Sequence, residues 1–301
     1  MKKGRALSGA AFFALSAHSS RRGTLGYVRT SLWDLRAMST PRSYRVEAAT
    51  LKSTPFSERD RMLVLYTRNH GKIHALAKGA RRTTSRLAAH VDLFTHATLF
   101  LVHGRSFDLV TQGETIQRFP LLRNDLTRLS YAFYAGELLD RFTEEHGPNP
   151  GLFDALVSLL GRLGDAGVDP LVALRAYELD LLAFSGYRPQ FHRCVGCETI
   201  IQPEANSFSA PDGGVICPAC VERYPAATPI SVEALRILRN LQTRQEDVIG
   251  KVKVSPHTMA QAERVLIGYI QYLLDVRLRS VGFIEVVRRL LAVPEGSAAF
   301  G

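Results

Sequence analysis

The sequence predicts an α+β protein in which a small β-barrel precedes a helical domain with an inserted four-cysteine segment. Three observations support this prediction. Short apolar segments separated by turn residues fill positions 44–119, helical periodicity begins at residue 120, and all four cysteines fall into two Cys-x-x-Cys pairs. The 301 residues have the composition of a globular protein, with 46% apolar and 22% charged residues, and contain no apolar run of membrane-spanning length.

The barrel is predicted from five short strands within residues 41–119. Arg68-Asn-His-Gly71 is a tight-turn signal between the second and third strands, because its glycine can adopt a positive φ. Five strands of this length, joined by turns, are typical of the OB-fold, a small barrel that often binds nucleic acids. The predicted strands are residues 44–51, 62–67, 72–78, 93–103 and 106–119.

The helical domain is predicted for residues 120–295, where apolar residues recur three or four positions apart. Asp169-Pro170 combines an N-cap with a proline at the first helical position, and Gly186 stands where that helix should end. Ser231 and Ser255-Pro256 open two later helices, and the last helix lies near residues 283–291. The tail 296–301 is expected to be disordered.

The cysteines form a candidate metal site. Cys194 and Cys197 make one pair, Cys217 and Cys220 make the other, and nineteen residues separate the pairs. Two such turns can direct four thiolates at one centre, the tetrahedral ligand set that zinc prefers. Four thiolates leave no position for water, so we predict one structural Zn²⁺ in a segment spanning residues 191–224. Two disulfides are the alternative, which a cytosolic location disfavours.

The basic residues are concentrated in the first 120 positions. Residues 38–120 contain thirteen Lys and Arg against six Asp and Glu, whereas residues 121–301 contain eighteen against twenty-one. This asymmetry indicates that one half of the chain binds a polyanion and that the other half has a different function. Residues 1–40 are a further basic extension. We interpret it as preceding the true initiator, Met38, with a disordered tail or a signal peptide as alternatives.

The predicted nucleic-acid contacts lie on or beside the loop that follows the third strand. Single-stranded nucleic acid is bound by cationic side chains together with stacking aromatic rings. Four rings of the barrel, Tyr66, Phe94, Phe100 and Phe107, could stack on bases, although a place in the core is favoured for each. The predicted phosphate-binding residues are Lys72, Lys78, Arg81, Arg82 and Arg86.

The sequence contains no motif that requires catalysis. GxxxxGK[ST], GxGxxG, HExxH and GxSxG patterns are all absent. The spacing also disfavours a zinc deaminase, because Glu198 follows Cys197 directly and Ile216 rather than proline precedes Cys217. We therefore predict no catalytic residue and no small-molecule substrate. Two rival classes stay open: a zinc-ribbon transcriptional regulator that binds duplex DNA, and a nuclease whose carboxylates come from several elements.

Four short segments carry a family resemblance: Glu58-Arg-Asp60, Thr67-x-x-x-Gly71-Lys72, Ala77-Lys-Gly-Ala-Arg81 and Tyr187-Arg-Pro before Cys194. With these segments, the chain resembles the bacterial RecO family of recombinational DNA-repair proteins from about Arg42 to near Leu291. The resemblance implies a non-enzymatic mediator that binds single- and double-stranded DNA and anneals complementary strands. It also implies RecR and single-stranded-DNA-binding protein as partners, indirect action on RecA, no membrane partner, and a cytoplasmic, nucleoid-associated location.

Overall fold

The computed structural model describes residues 42–243 and 254–292. The predictions for the extension 1–40 and the tail 296–301 lie outside these residues. Within the described ranges, no helix is both long and apolar enough to cross a bilayer.

Five strands close into a barrel in the order β1-β2-β3-β5-β4. All neighbouring pairs are antiparallel except β3 and β5, which run parallel. A closed five-stranded barrel with this order is the OB-fold topology, so the predicted fold class is confirmed. The strands are β1 Ser43–Pro55, β2 Arg61–Thr67, β3 Gly71–Ala77, β4 His96–Val102 and β5 Asp108–Gln117.

Two strand boundaries differ from the prediction by three residues or more. β1 continues to Pro55 because Lys52 to Pro55 pair with the start of β2, although this stretch reads as a polar loop in the sequence. β4 begins only at His96, after a run of turns. The β2–β3 turn forms as predicted, with Gly71 at φ +68°.

Seven helices are described after the barrel. The predicted caps form: the Asp169 carboxylate accepts hydrogen bonds from Leu171 and Val172, and the Tyr187 N–H bonds back to the Leu182 carbonyl across Gly186. The helices are α1 Pro120–Asn124, α2 Leu126–Phe142, α3 Pro150–Leu163, α4 Pro170–Phe184, α5 Val232–Gln242, α6 Pro256–Leu274 and α7 Arg279–Ala292.

The helices pack against the outer face of β1 and β2. Strand residues alternate between the two faces of a sheet, so Leu63 and Leu65 fill the barrel while Val64 and Tyr66 face outward. Tyr66 and Phe94 are fully buried in the core shared with the helices. The predicted core role of these two rings is therefore confirmed, but they face the helical domain and not the barrel interior.

Three barrel cations form ion pairs with carboxylates of the helices. Lys52 and Lys72 both pair with Asp140 of α2, and Arg68 pairs with Asp154 of α3. The Lys72 ammonium also donates to the Asp140 and Thr143 carbonyls at 2.7 Å, and the residue is only 9% exposed. The prediction that Lys72 contacts DNA is wrong. Its side chain is buried and its ammonium group bonds to oxygens of Asp140 and Thr143, so it joins the barrel to the helical domain.

The four-cysteine segment folds around a small sheet with strand order β7-β6-β8. Its core continues into the helical domain, since Phe208 contacts Phe191 on one side and Tyr269 of α6 on the other. Arg239 of α5 also donates two hydrogen bonds to the Phe191 carbonyl. The strands are β6 Asn206–Ser209, β7 Gly214–Ile216 and β8 Thr228–Ile230.

Candidate nucleic-acid surface and metal centre

Two barrel loops are locked together at one end of the barrel. The Asp60 carboxylate of the β1–β2 loop accepts a hydrogen bond from the Gly79 N–H of the β3–β4 loop at 2.8 Å. Arg81 returns two bonds, from its N–H to the Arg59 carbonyl and from its guanidinium to the Ser57 carbonyl. The bond from Gly79 is the main cause that lowers the pKa of Asp60, helped by Ser57, Lys78 and Arg82. This junction fixes the loops before any ligand arrives.

A shallow cleft of about 530 Å³ lies over this junction. Its cationic lining residues are Arg59, Lys78 and Arg82, all exposed, and its acidic ones are Glu58 and Asp60. Guanidinium and ammonium groups on a solvated loop can donate to phosphate oxygens with little desolvation cost. We define the basic loop surface as Arg59, Lys78, Arg81, Arg82 and Arg86.

The structure distributes the five predicted phosphate contacts unequally. Lys78 and Arg82 share the cleft, Arg81 bridges to the β1–β2 loop, and Arg86 is exposed farther along the β3–β4 loop. Lys72 lies apart from them at the domain junction. Arg59 adds to the predicted set. Its loop reads as a simple connection in the sequence, although OB-fold ligands often contact the loop between the first two strands.

The four thiols converge as the spacing predicts. Their sulfurs lie within 4.8 Å of one another, and those of Cys197 and Cys217 are 3.7 Å apart. Four sulfur ligands at tetrahedral corners around one zinc ion would be separated by about 3.8 Å. The donor set therefore fits a single metal ion, held by Cys194, Cys197, Cys217 and Cys220.

The surroundings of the thiols favour a bound cation. The Cys194 sulfur accepts hydrogen bonds from the N–H groups of Gly196 and Cys217. Hydrogen bonds from Thr199 lower the pKa of Cys197 to about 6. Burial raises the pKa of Cys217 to about 12, because the charged thiolate is costly among three other sulfurs. A metal ion would offset this cost, and its binding would thereby stabilise the folded segment.

Comparison with known proteins decides the family. The family model described as Recombination protein O N terminal matches residues 38–119, and the one described as Recombination protein O C terminal matches residues 123–281. The chain belongs to the RecO family. RecO-family membership gives it a role in DNA repair and recombination.

Curated relatives support this assignment over most of the chain. DNA repair protein RecO of Roseiflexus sp. is 40% identical over 83% of this chain and 88% of the relative. The protein of the same name from Dehalococcoides mccartyi is 34% identical over 83% of this chain and 98% of its own length. That from Symbiobacterium thermophilum is 36% identical over 81% and 98%, respectively.

Proposed function

We propose that this RecO-family protein binds single- and double-stranded DNA through the basic loop surface and anneals complementary strands. In this proposal it acts with RecR to help load RecA onto strands coated by single-stranded-DNA-binding protein. The single observation that carries the DNA-binding part is the set of five exposed cations on two interlocked loops of an OB-fold barrel.

Ion pairs of three other barrel cations support the assignment of DNA binding to the basic loop surface. Lys52, Arg68 and Lys72 pair with carboxylates of the helices, so they serve the domain junction. The basic loop surface instead faces solvent. Its contacts with phosphates would release counterions, which makes binding independent of sequence and sensitive to salt.

Annealing follows from the same electrostatics. Two complementary strands repel each other through their phosphates, and cationic side chains lower this repulsion while leaving the base edges free to pair. No group has to transfer protons or electrons in this process. We accordingly propose a non-enzymatic protein that uses neither a catalytic residue nor a small-molecule substrate.

We further propose that the four cysteines hold one structural Zn²⁺. A bound zinc ion would cross-link the two Cys-x-x-Cys turns and would take no part in a reaction on DNA. We also propose a cytoplasmic, nucleoid-associated protein without a membrane partner. We propose that residues 41–119 form the DNA-binding domain and that residues 120–295 form the helical domain with zinc-binding segment 191–224.

Strand annealing tests the proposed function. The purified protein is expected to accelerate pairing of two complementary labelled strands without nucleotide or divalent metal, with a rate that falls steeply as salt rises. Addition of single-stranded-DNA-binding protein to the strands, with and without RecR, tests the mediator role. Annealing that equals the protein-free rate at low salt would contradict the proposal, as would degradation of the strands after Mg²⁺ addition.

A further inference from the structure

Two exposed phenylalanine rings meet where the β1–β2 and β4–β5 loops approach each other. Phe56 of the first loop and Phe107 of the second are in edge-to-face contact, with ring centroids 6.5 Å apart. They nevertheless remain 56% and 39% exposed. Two large apolar rings in contact with each other and open to solvent form a contiguous exposed patch, which is a candidate binding site.

Close contacts within both loops restrict their conformations. In the β1–β2 loop, the Phe56 N–H bonds to the Asp60 carbonyl, and Asp60 in turn is fixed by Gly79. In the β4–β5 loop, a side chain at Gly104 would place its Cβ 2.0 Å from the Phe107 carbonyl oxygen, so this turn requires glycine. Rings presented by fixed loops lose little conformational entropy when a ligand binds.

The β4–β5 loop has further supports next to Phe107. The Tyr44 ring stacks on His103 at 4.6 Å, and its hydroxyl donates to the Asp108 carboxylate. His103 in turn contacts the other oxygen of Asp108 at 3.2 Å. These contacts use the residues on either side of the loop and leave Phe107 available.

Charge around the rings favours an anionic, base-bearing ligand over an apolar peptide. Arg59 and Lys78 line the cleft that adjoins the Phe56 loop. Arg105 and His74 line a smaller cavity of about 170 Å³ beside Phe107, where Asp108 and Glu145 are the acids. Glu145 lies 3.3 Å from the His74 ring, and Asp108 bonds to Tyr44, so both acids have local partners. A single strand carries phosphates for the cations and flat bases for the rings.

We propose that Phe56 and Phe107 form a stacking site for unpaired bases, which makes the barrel prefer single strands to duplexes. This inference rests on the proposed function and adds base recognition to phosphate contact. Bases within a duplex are stacked on one another and cannot reach the rings, whereas those of a single strand can. Once complementary strands pair, their bases leave the site, so annealed product is bound less tightly than its strands.

An abasic strand separates base stacking from phosphate contact. We would measure Kd by fluorescence anisotropy for oligothymidylate, for an abasic strand of equal length and for a duplex, all at one salt concentration. The wild-type protein is expected to prefer the base-bearing strand by about fivefold or more, since stacking of one base contributes about 1–3 kcal/mol. The double variant Phe56→Ala/Phe107→Ala should lose this preference while its Kd for the abasic strand stays unchanged.

Matched variants distinguish stacking from general apolar contact. Phe56→Tyr/Phe107→Tyr keeps two aromatic faces and should retain the preference, whereas Phe56→Leu/Phe107→Leu should lose it. Tyr272→Ala is the control, because this ring of α6 is 53% exposed but belongs to the helical domain, and the variant should bind like wild type.

Three results would overturn the stacking site. The first is equal affinity of the wild-type protein for abasic and base-bearing strands. The others are a preference for the base-bearing strand that survives in Phe56→Ala/Phe107→Ala or in Phe56→Leu/Phe107→Leu. In each of these cases, salt-dependent binding of the abasic strand would leave the phosphate-binding proposal standing. Failure to bind either strand at low salt would instead reject both proposals.

Discussion

Replacing Cys194 with serine is expected to unfold the four-cysteine segment and lower the stability of the whole helical domain. Binding of a structural zinc ion contributes on the order of 10 kcal/mol to segments of this kind. Loss of one thiolate removes most of that contribution. The damage should spread, because Phe208 of the segment packs on Tyr269 of α6 and Arg239 of α5 bonds to Phe191. Metal content and urea unfolding measure both consequences.

A serine in the other Cys-x-x-Cys turn, at a position that carries no thiol, is the control for this prediction. Ala219 lies between Cys217 and Cys220 and is exposed, so Ala219→Ser should keep the metal and the unfolding free energy of the wild type. A Cys194→Ser protein with normal stability but no annealing activity would contradict a purely structural metal. An unchanged affinity for zinc in that variant would contradict the four-thiolate ligand set.

Above pH 7, where its carboxylate is ionised, replacing Glu178 with leucine is expected to destabilise the protein by about 3–5 kcal/mol, because it leaves a buried arginine without its charged partner. Glu178 and Arg175 of α4 are 0% and 1% exposed, and their side chains lie 3.1 Å apart. Tyr134 of α2 donates to the same carboxylate oxygen at 2.7 Å. The combined variant Tyr134→Phe/Arg175→Met/Glu178→Leu removes every polar group of this cluster and should recover most of the loss. Urea unfolding of the two variants compares them directly.

The difference in unfolding free energy between the wild type and the combined variant should depend on pH. Burial raises the pKa of Glu178 from 4.5 to about 7. Between these values the folded protein holds a proton that the unfolded chain has released, so stability from this group is present at low pH and is lost as pH rises through 7. The wild type should therefore lose stability relative to the combined variant over this interval. A constant difference would show that Glu178 keeps its charge when folded.

Local sequence signals were sufficient for the helices and strands and for the convergence of the four cysteines. Alternation and turn residues indicated the barrel strands, and the caps at Asp169 and Ser255 placed the starts of α4 and α6. The spacing of the cysteines alone predicted their convergence. Each of these features depends on residues close together in the chain, which is why a single sequence contains the information.

The errors arose where distant residues decide the outcome. As a lysine in a basic barrel, Lys72 fits the pattern of a DNA contact. Its place at the domain junction depends on an ion pair with Asp140, which lies 68 positions away in the sequence. Phe56 lies in a predicted loop and Phe107 at the start of a predicted strand, and only folding brings their rings together. The burial of Arg175 beside Glu178 is equally unpredictable, because an ion pair three positions apart on a helix is ordinarily solvent-exposed.

The salt dependence of oligonucleotide binding tests the central claim most directly. We would titrate a labelled single strand with wild-type protein and with Arg81→Ala/Arg82→Ala/Arg86→Ala over a series of salt concentrations. The wild type should bind at low salt with log K falling linearly as log salt rises, and the variant should bind more weakly with a slope reduced by about 2. The control is Arg236→Ala/Arg264→Ala/Arg277→Ala, three exposed arginines of the helical domain, which should keep the wild-type slope. Absence of a complex at low salt, or a loop variant with the wild-type slope, would contradict electrostatic binding by this surface.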